Sequence, residues 1–397
     1  MQKTRQESMR VDMLNDLTFV QFTDLHLGEG NGSIVTFAKM IDEINALDPQ
    51  PRFVVHTGDI CLQTIGMASQ YFRLSSRFEM PVYHTLGNHD VMVREPDPIS
   101  RWKELTGRPN FYRFDVEGVR FLVLDGHKVH PERNGWDNVV GEVGREEWEW
   151  LEWELRDSCA GSVTIAFIHI PLLSTYPQRR GRAPGEADAW EVSNGQEVAD
   201  LLADARVKAV FAGHFHENET ILYRGVPFVC TGSVCGAWWD WETWPHNPDG
   251  SPKGYRIVSV SHQTGEVYAL YKGIGRSMDD QIAIYLQHRS REVEIIANVF
   301  DGDGRWQVQW RPDGGAWSAM QYLPASSTDS DFLPAKSDAI PHCCAHLWRA
   351  IADRELIDTI GGEIHVRTLP PPRTSSPRPP TLATASLTKS APSGHRM

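Results

Sequence analysis

The hydrophobic pattern changes character along the chain. Residues 17–23 (LTFVQFT), 52–56, 81–85, 162–168 and 207–211 are short, nearly continuous apolar runs, which predict buried strands. Between them the period lengthens. After Ser33, which suits a helix N-cap, Ile34, Phe37, Ala38 and Ile41 recur at helical spacing until Asp48-Pro49 stops them. Residues 66–78, 144–156 and 196–205 predict further helices. In the second of these Trp148, Leu151 and Leu155 share a face, so its tryptophans are expected to pack on the core. Strand, helix, strand, helix, strand predicts a sheet with crossover helices.

Residues 110–124 alternate instead, with Glu117-Gly118 at their centre, and predict a β-hairpin. Residues 226–231 add a strand, and 256–260 with 267–271 a second hairpin. From about Ile282 the pattern is all-β: residues 293–299, 306–310 and 364–367 alternate around Asp301-Gly302-Asp303-Gly304 and Asp313-Gly314-Gly315. That predicts a small β-sandwich. The Asp-Gly run lacks the downstream bidentate Glu of an EF-hand and reads as a turn. Residues 235–255, holding Trp238, Trp239, Trp241 and Trp244, show no period and predict an irregular aromatic loop that either packs internally or walls a substrate. Residues 1–16 read as a flexible lead-in. From Pro370 the chain is rich in Pro, Ser, Thr and Ala and is expected to be disordered.

With 397 residues the chain is long enough for a large core and more than one domain. The formal net charge of −13 argues against a binder of nucleic-acid polymers but leaves a small phosphate ester open, because bound cations would invert the local field. No secretory signal is evident at the N-terminus, and no run approaches the ~18 apolar residues of a membrane span. Cys61, Cys159, Cys230, Cys235, Cys343 and Cys344 lack Cys-x-x-Cys spacing, so reduced thiols in a cytoplasm are expected, with a Cys230–Cys235 link as the alternative. Oligomeric state is left open.

The candidate chemistry lies where apolar runs end. Asp24-Leu25-His26, Gly58-Asp59, Gly87-Asn88-His89-Asp90, His169-Ile170-Pro171 and Gly213-His214-Phe215-His216 each follow a predicted strand. In a strand–helix sheet those ends gather at one edge, so residues far apart in sequence can converge. Any one cluster is compatible with an ordinary turn. Five together supply the ligand types of a two-metal hydrolytic site.

In this the chain resembles the calcineurin-like metallophosphoesterase family. The family's order is Asp-x-His, Gly-Asp, Gly-Asn-His-Asp/Glu, His, Gly-His-x-His, and every position is filled. Asn88-His89-Asp90 also resembles the class III cyclic nucleotide phosphodiesterase branch, and residues 276–369 look like the β-rich C-terminal domain of some bacterial members. The resemblance implies a layered α/β/β/α sandwich over residues 17–275, an all-β domain over 276–369 and a tail over 370–397. It implies that Asp24, His26 and His216 hold one metal, Asn88, His169 and His214 a second, and that Asp59 bridges them. Two cations about 3.5–4 Å apart would acidify a bridging water, whose hydroxide attacks the phosphorus. The mixed N/O donors suit Fe, Mn or Zn. His89, next to the second metal, would protonate the leaving oxygen or stabilise the transition state, with Asp90 orienting its ring.

The resemblance implies a small phosphodiester substrate, of cyclic nucleotide or glycerophosphodiester type. A phosphomonoesterase acting on a metabolite or phosphoprotein, and a non-catalytic interaction module on the same fold, are the alternatives. Residues 172–190 follow His169 directly, and their Arg179, Arg180 and Arg182 could meet an anionic substrate, as Trp238 and Trp239 could wall one. His56, His84, His127, His130 and His262 have no motif position and read as structural or surface residues.

Overall fold

A computed structural model describes residues 16–28, 33–61, 68–91, 97–130, 138–156, 163–179, 191–237, 246–323, 344–355, 357, 363–370 and 381–386. Two sheets form the N-terminal body. The first has five strands in the order Val267–Gly273, Gly254–Val260, Leu17–Phe22, Val54–Thr57, Val82–Thr85. The second has six, Glu219–Tyr223, Val226–Cys230, Ala209–Ala212, Thr164–Phe167, Val119–Val123, Tyr112–Val116. Their inner faces meet through Leu17, Phe19, Phe53, Val55, Phe121, Val123, Phe167 and Phe211. Phe19 stacks on Phe53 at 4.9 Å and meets Phe121, Phe167 and Phe211 edge-on. Each such ring, fully buried, stabilises the fold by roughly 1.5–3 kcal/mol relative to exposure.

The opposite faces carry helices. Val20, Phe22 and Val54 pack on Phe37, Met40, Ile41 and Ile44 of the helix Ser33–Asn45 and on Tyr71 of Ala68–Ser75. Leu122, Ala166 and Val210 pack on Leu151 and Leu155 of Arg145–Arg156 and on Val198 and Leu202 of Gly195–Asp204. The layering is therefore α/β/β/α. Every run with a core on both faces reads as continuous because side chains of both parities are buried. The helix Arg145–Arg156 departs in part from its expectation: Trp148 and Trp150 only border the core, and Trp153 is 56% exposed. At the hairpin turn Glu117 and Gly118 both have positive φ, 49° and 81°, the primed geometry that matches strand twist.

Beyond Gly273 the chain forms two four-stranded antiparallel sheets that enclose a core including Ile282, Ile295, Val299, Trp310, Trp348 and Val366. The expectation of disorder from Pro370 is corrected at Leu382–Ser386, which pairs with Glu363–Leu369. Its Ala, Thr and Ser have little to bury, but the neighbouring strand's open edge satisfies their backbone groups. Asp301, in the run read as a turn, pairs with the buried Arg256 and accepts the Tyr271 N–H at 2.6 Å, tying this region to the first sheet. Cys61, Cys230, Cys235 and Cys344 are all buried and free, so the alternative Cys230–Cys235 link does not form. Among the described residues no helix is long and apolar enough to cross a membrane.

Candidate metal centre

Strands Leu17–Phe22, Val54–Thr57 and Val82–Thr85 run parallel, as do Val119–Val123, Thr164–Phe167, Ala209–Ala212 and Val226–Cys230 in the other sheet. Their C-terminal ends deliver all seven expected donors to one buried spot. His26 Nε2 lies 3.1 Å from His216 Nε2 and 3.7 Å from Asp24 Oδ1, and His216 Nε2 lies 3.3 Å from the same oxygen. Asn88 Oδ1 lies 3.0 Å from His169 Nε2 and 3.1 Å from His214 Nδ1. Between the two groups Asp59 Oδ2 is 3.4 Å from His26 Nε2 and 3.2 Å from His169 Nε2.

The backbone is bent to bring this about. Eight described non-glycine residues have positive φ, and five of them are Asp24, His26, Asp59, His214 and His216. Such strain persists where the surroundings over-determine it, and it concentrates here. Close approach also requires glycine: a Cβ on Gly87 would lie 2.2 Å from the Asp59 nitrogen, and one on Gly213 1.9 Å from Thr23 Oγ1.

The donors fit a cation. Asp24 Oδ2 accepts Thr23 Oγ1–H at 2.7 Å and His214 N–H at 2.8 Å, while its buried Oδ1 has no hydrogen-bond partner among the described residues. The Thr57 carbonyl can only accept, so the 2.7 Å contact fixes the proton of His169 on Nδ1 and turns Nε2 inward. The Gly236 carbonyl does the same for His216 at 2.8 Å. Burial opposes ionisation of Asp24 and Asp59, yet surrounding imidazoles, His216 for the first and His169 for the second, hold both carboxyls well below their ordinary range. Burial lowers His26 to about 4, and burial with His169 lowers His214 to about 3, so both rings are bare bases ready to ligate.

His89 lies edge-on to His26, ring centroids 4.6 Å apart, and its backbone N–H donates to Asp59 Oδ1 at 2.9 Å. One expectation about a neighbouring residue is corrected. Asp90 braces the loops rather than the His89 ring: its carboxylate accepts the N–H groups of Asp59, Ile60 and Gly87, each at 3.0 Å. Burial and the Asp59 charge raise it to about 7.

The substrate-binding candidates fare differently. Arg179 is corrected: its side chain is 1% exposed and committed to Glu217 at 2.5 Å and Glu219 at 3.7 Å, so it braces the segment after His216. Arg180, Arg182, Trp238 and Trp239 lie outside the described residues. His56 is stacked on Phe22 in the core, and His262 is a partly exposed partner of Glu117. His127, assigned no place by motif, lies against His169 with ring centroids 5.9 Å apart. The orienting carbonyls were illegible because backbone oxygen carries no sequence signal.

The model of the calcineurin-like phosphoesterase family matches residues 17–218. The chain belongs to the calcineurin-like phosphoesterase family. The C-terminal model of the same family covers residues 229–369. Among curated relatives, the serine/threonine-protein phosphatase CPPED1 of Bos taurus is 29% identical over 208 residues, covering 49% of this chain and 62% of that one. A probable cyclic nucleotide phosphodiesterase of Rhodococcus erythropolis is 24% identical over 208 residues, covering 50% and 62%. This phosphoesterase chain thus spans about 62% of the length of those relatives. A dimetal phosphatase from Danio rerio aligns over 64% of this chain and 98% of its own at 15% identity, with a TM-score of 0.41.

Proposed function

We propose that this family member is a two-metal phosphoesterase that hydrolyses a small phosphodiester of cyclic nucleotide or glycerophosphodiester type. The observation that carries the reading is Asp59 Oδ2, shared at 3.4 and 3.2 Å between one donor group from Asp24, His26 and His216 and another from Asn88, His169 and His214. One carboxylate so shared is what two adjacent cations require. When bound, the cations supply Lewis-acid polarisation of the phosphoryl oxygens and a hydrolytic water acidic enough to ionise near neutral pH. The N/O donor set suits Fe, Mn or Zn.

The chain's own residues do the remainder. Thr57 and Gly236 hold His169 and His216 in the ligating tautomer. Asn88 contributes an oxygen without charge. Asp90 pins the Asp59 and Gly87 loops together, fixing the bridging carboxylate. His89, beside His26, delivers a proton to the departing oxygen. Four buried free thiols support a reducing, cytoplasmic setting.

A phosphomonoesterase is the second reading, favoured by the phosphatase relative at 29% identity. A panel of bis(p-nitrophenyl) phosphate, p-nitrophenyl phosphate and cyclic AMP on the metal-loaded protein tests both. Diester turnover exceeding monoester turnover supports the first reading, and the reverse order supports the second. No turnover on any substrate by a protein holding two ions per chain sinks both.

A further inference from the structure

We propose that His127 is a substrate-contacting residue of this site: its Nε2 bonds an oxygen of the phosphoester on the His169 side, and Asp125 is the positioning residue that aims it. The inference rests on the two-metal phosphoesterase reading and adds a residue the family's motifs do not contain.

The strand Val119–Val123 ends at Leu124-Asp125-Gly126-His127, and the fold spends several buried groups on that turn. The Glu147 carboxylate, from the helix Arg145–Arg156, accepts the Asp125 N–H at 2.7 Å and the Gly126 N–H at 3.3 Å. Gly126 has φ of 65°, and a Cβ there would lie 2.7 Å from Ile168 Cδ1, one residue before His169. Asn110 Nδ2 donates to Asp125 Oδ2 at 2.7 Å, which leaves Oδ1 to meet His127 Nδ1 at 3.0 Å. A carboxylate oxygen can only accept, so Nδ1 carries a proton and the ring orientation is fixed; a phosphoryl oxygen also only accepts, so in the proposed contact Nε2 carries the second proton of an imidazolium set between Asp125 and the anion.

The ring so aimed is 29° from parallel to that of His169, whose other imidazole neighbour is His214 at 5.2 Å. The His127 side chain is 1% exposed, and its Nε2 has no hydrogen-bond partner among the described residues. His56 Nε2 and His84 Nε2 are buried in the core and likewise unmatched among the described residues; what sets His127 apart is that its anchored ring lies against His169, so a partner for its Nε2 is one that arrives at the centre. Among the described residues His127 belongs to none of the three groups of His, Cys, Asp and Glu donors that converge within 4.8 Å. The ring that abuts the first donor group is His89 against His26; His127 takes the matching place against the second. Two imidazoles flanking the centre give a phosphodiester one contact for the departing oxygen and one for a non-bridging oxygen.

The test uses the full chain loaded with metal, with inorganic phosphate followed by calorimetry and bis(p-nitrophenyl) phosphate followed by turnover. His127→Ala is expected to weaken phosphate binding roughly 10-fold or more and to lower kcat/KM by roughly 10²-fold, within the range of a single proton-bearing contact. Two ions per chain are retained, and added imidazole restores part of the turnover. His127→Gln, which keeps the volume, is expected to retain more phosphate affinity than Ala. Asp125→Asn weakens phosphate binding less than His127→Ala and shows no imidazole rescue, because its own ring is still in place. Unchanged phosphate affinity and turnover in both His127 variants overturns the proposal, and so does loss of an ion, which would make His127 a support for His169. Should the wild type hydrolyse no ester, the functional reading fails separately, and the phosphate titration still decides whether His127 touches the anion.

Discussion

Two of the buried carboxylate–imidazole clusters among the described residues are built on opposite principles. At the strand ends like faces like: His26 Nε2 lies 3.1 Å from His216 Nε2, and Asp24 Oδ1 has no hydrogen-bond partner among the described residues. Around Asp249 every contact is complementary. Oδ1 accepts Ser251 N–H at 2.8 Å and Oγ–H at 2.6 Å, and Oδ2 accepts Asn218 N–H at 2.7 Å and His346 Nε2 at 3.1 Å. Asn298 of the C-terminal region donates to the Asp249 carbonyl at 2.6 Å. The first cluster is incomplete without cations. The second is complete as it stands and clamps the C-terminal sheets to the segment that follows His216. Residue type does not separate a metal centre from a structural clamp; the matching of donors to acceptors does.

The largest effect expected from this contrast is at Asp59. Asp59→Asn keeps an acceptor for the His89 N–H but removes the charge shared between the two groups. We expect activity to fall by roughly 10³-fold or more, since the cations supply several kcal/mol of transition-state stabilisation. Metal content should drop at both positions. Full activity with two ions per chain would falsify the bridging assignment.

The reciprocal change is His346→Ala. Removing one partner of a buried charged pair costs about 3–5 kcal/mol, because the other charge is left alone. His346 and Asp249 are both fully buried, so that range applies without a discount for solvent. Urea unfolding should report the loss, and metal analysis should still find two ions per chain. A variant that keeps its stability but loses metal would make the Asp249 cluster part of the centre and erase the contrast.

These differences also explain what was legible beforehand. The seven side chains that converge were readable as a set because each sits within a few residues of a strand end, so local spacing carried the signal. The two-layered sheets were readable because their runs are buried on both faces. The clamp was not: Asp249 and His346 are 97 residues apart and neither belongs to a local pattern. Asp90 was misread because sequence adjacency to His89 says nothing about which way a side chain turns, and three backbone N–H groups claimed its carboxylate. Arg179 looked available to a substrate because its acidic partners, Glu217 and Glu219, arrive from a different strand connection. The strands Glu219–Tyr223 and Leu347–Asp353 escaped notice because both mix exposed and buried positions without clean alternation.

The smallest expected effect is a pH dependence that belongs to the clamp alone. Burial pulls His346 down, but Cys344, 3.9 Å from its Nδ1, and Asp249 raise it to about 10. The folded value lies above the ordinary ~6.5 of an unfolded chain. Protonated His346 therefore stabilises the fold in full below about pH 6.5, and that contribution drains away as pH rises towards about 10. Asp249 works in the other direction: its folded value is depressed against the opposing pull of burial, chiefly by His346, so its contribution holds above ~3.9 and is lost on further acidification. Wild type and His346→Gln, both metal-loaded so that the imidazoles of the centre are occupied, should therefore differ most in melting temperature near pH 6. The gap should narrow steadily to pH 9.5. Groups elsewhere titrate in both proteins and cancel in the difference. A gap that stays constant across that range would show that His346 holds Asp249 as a neutral ring, and the clamp would then be a hydrogen bond without an ion pair.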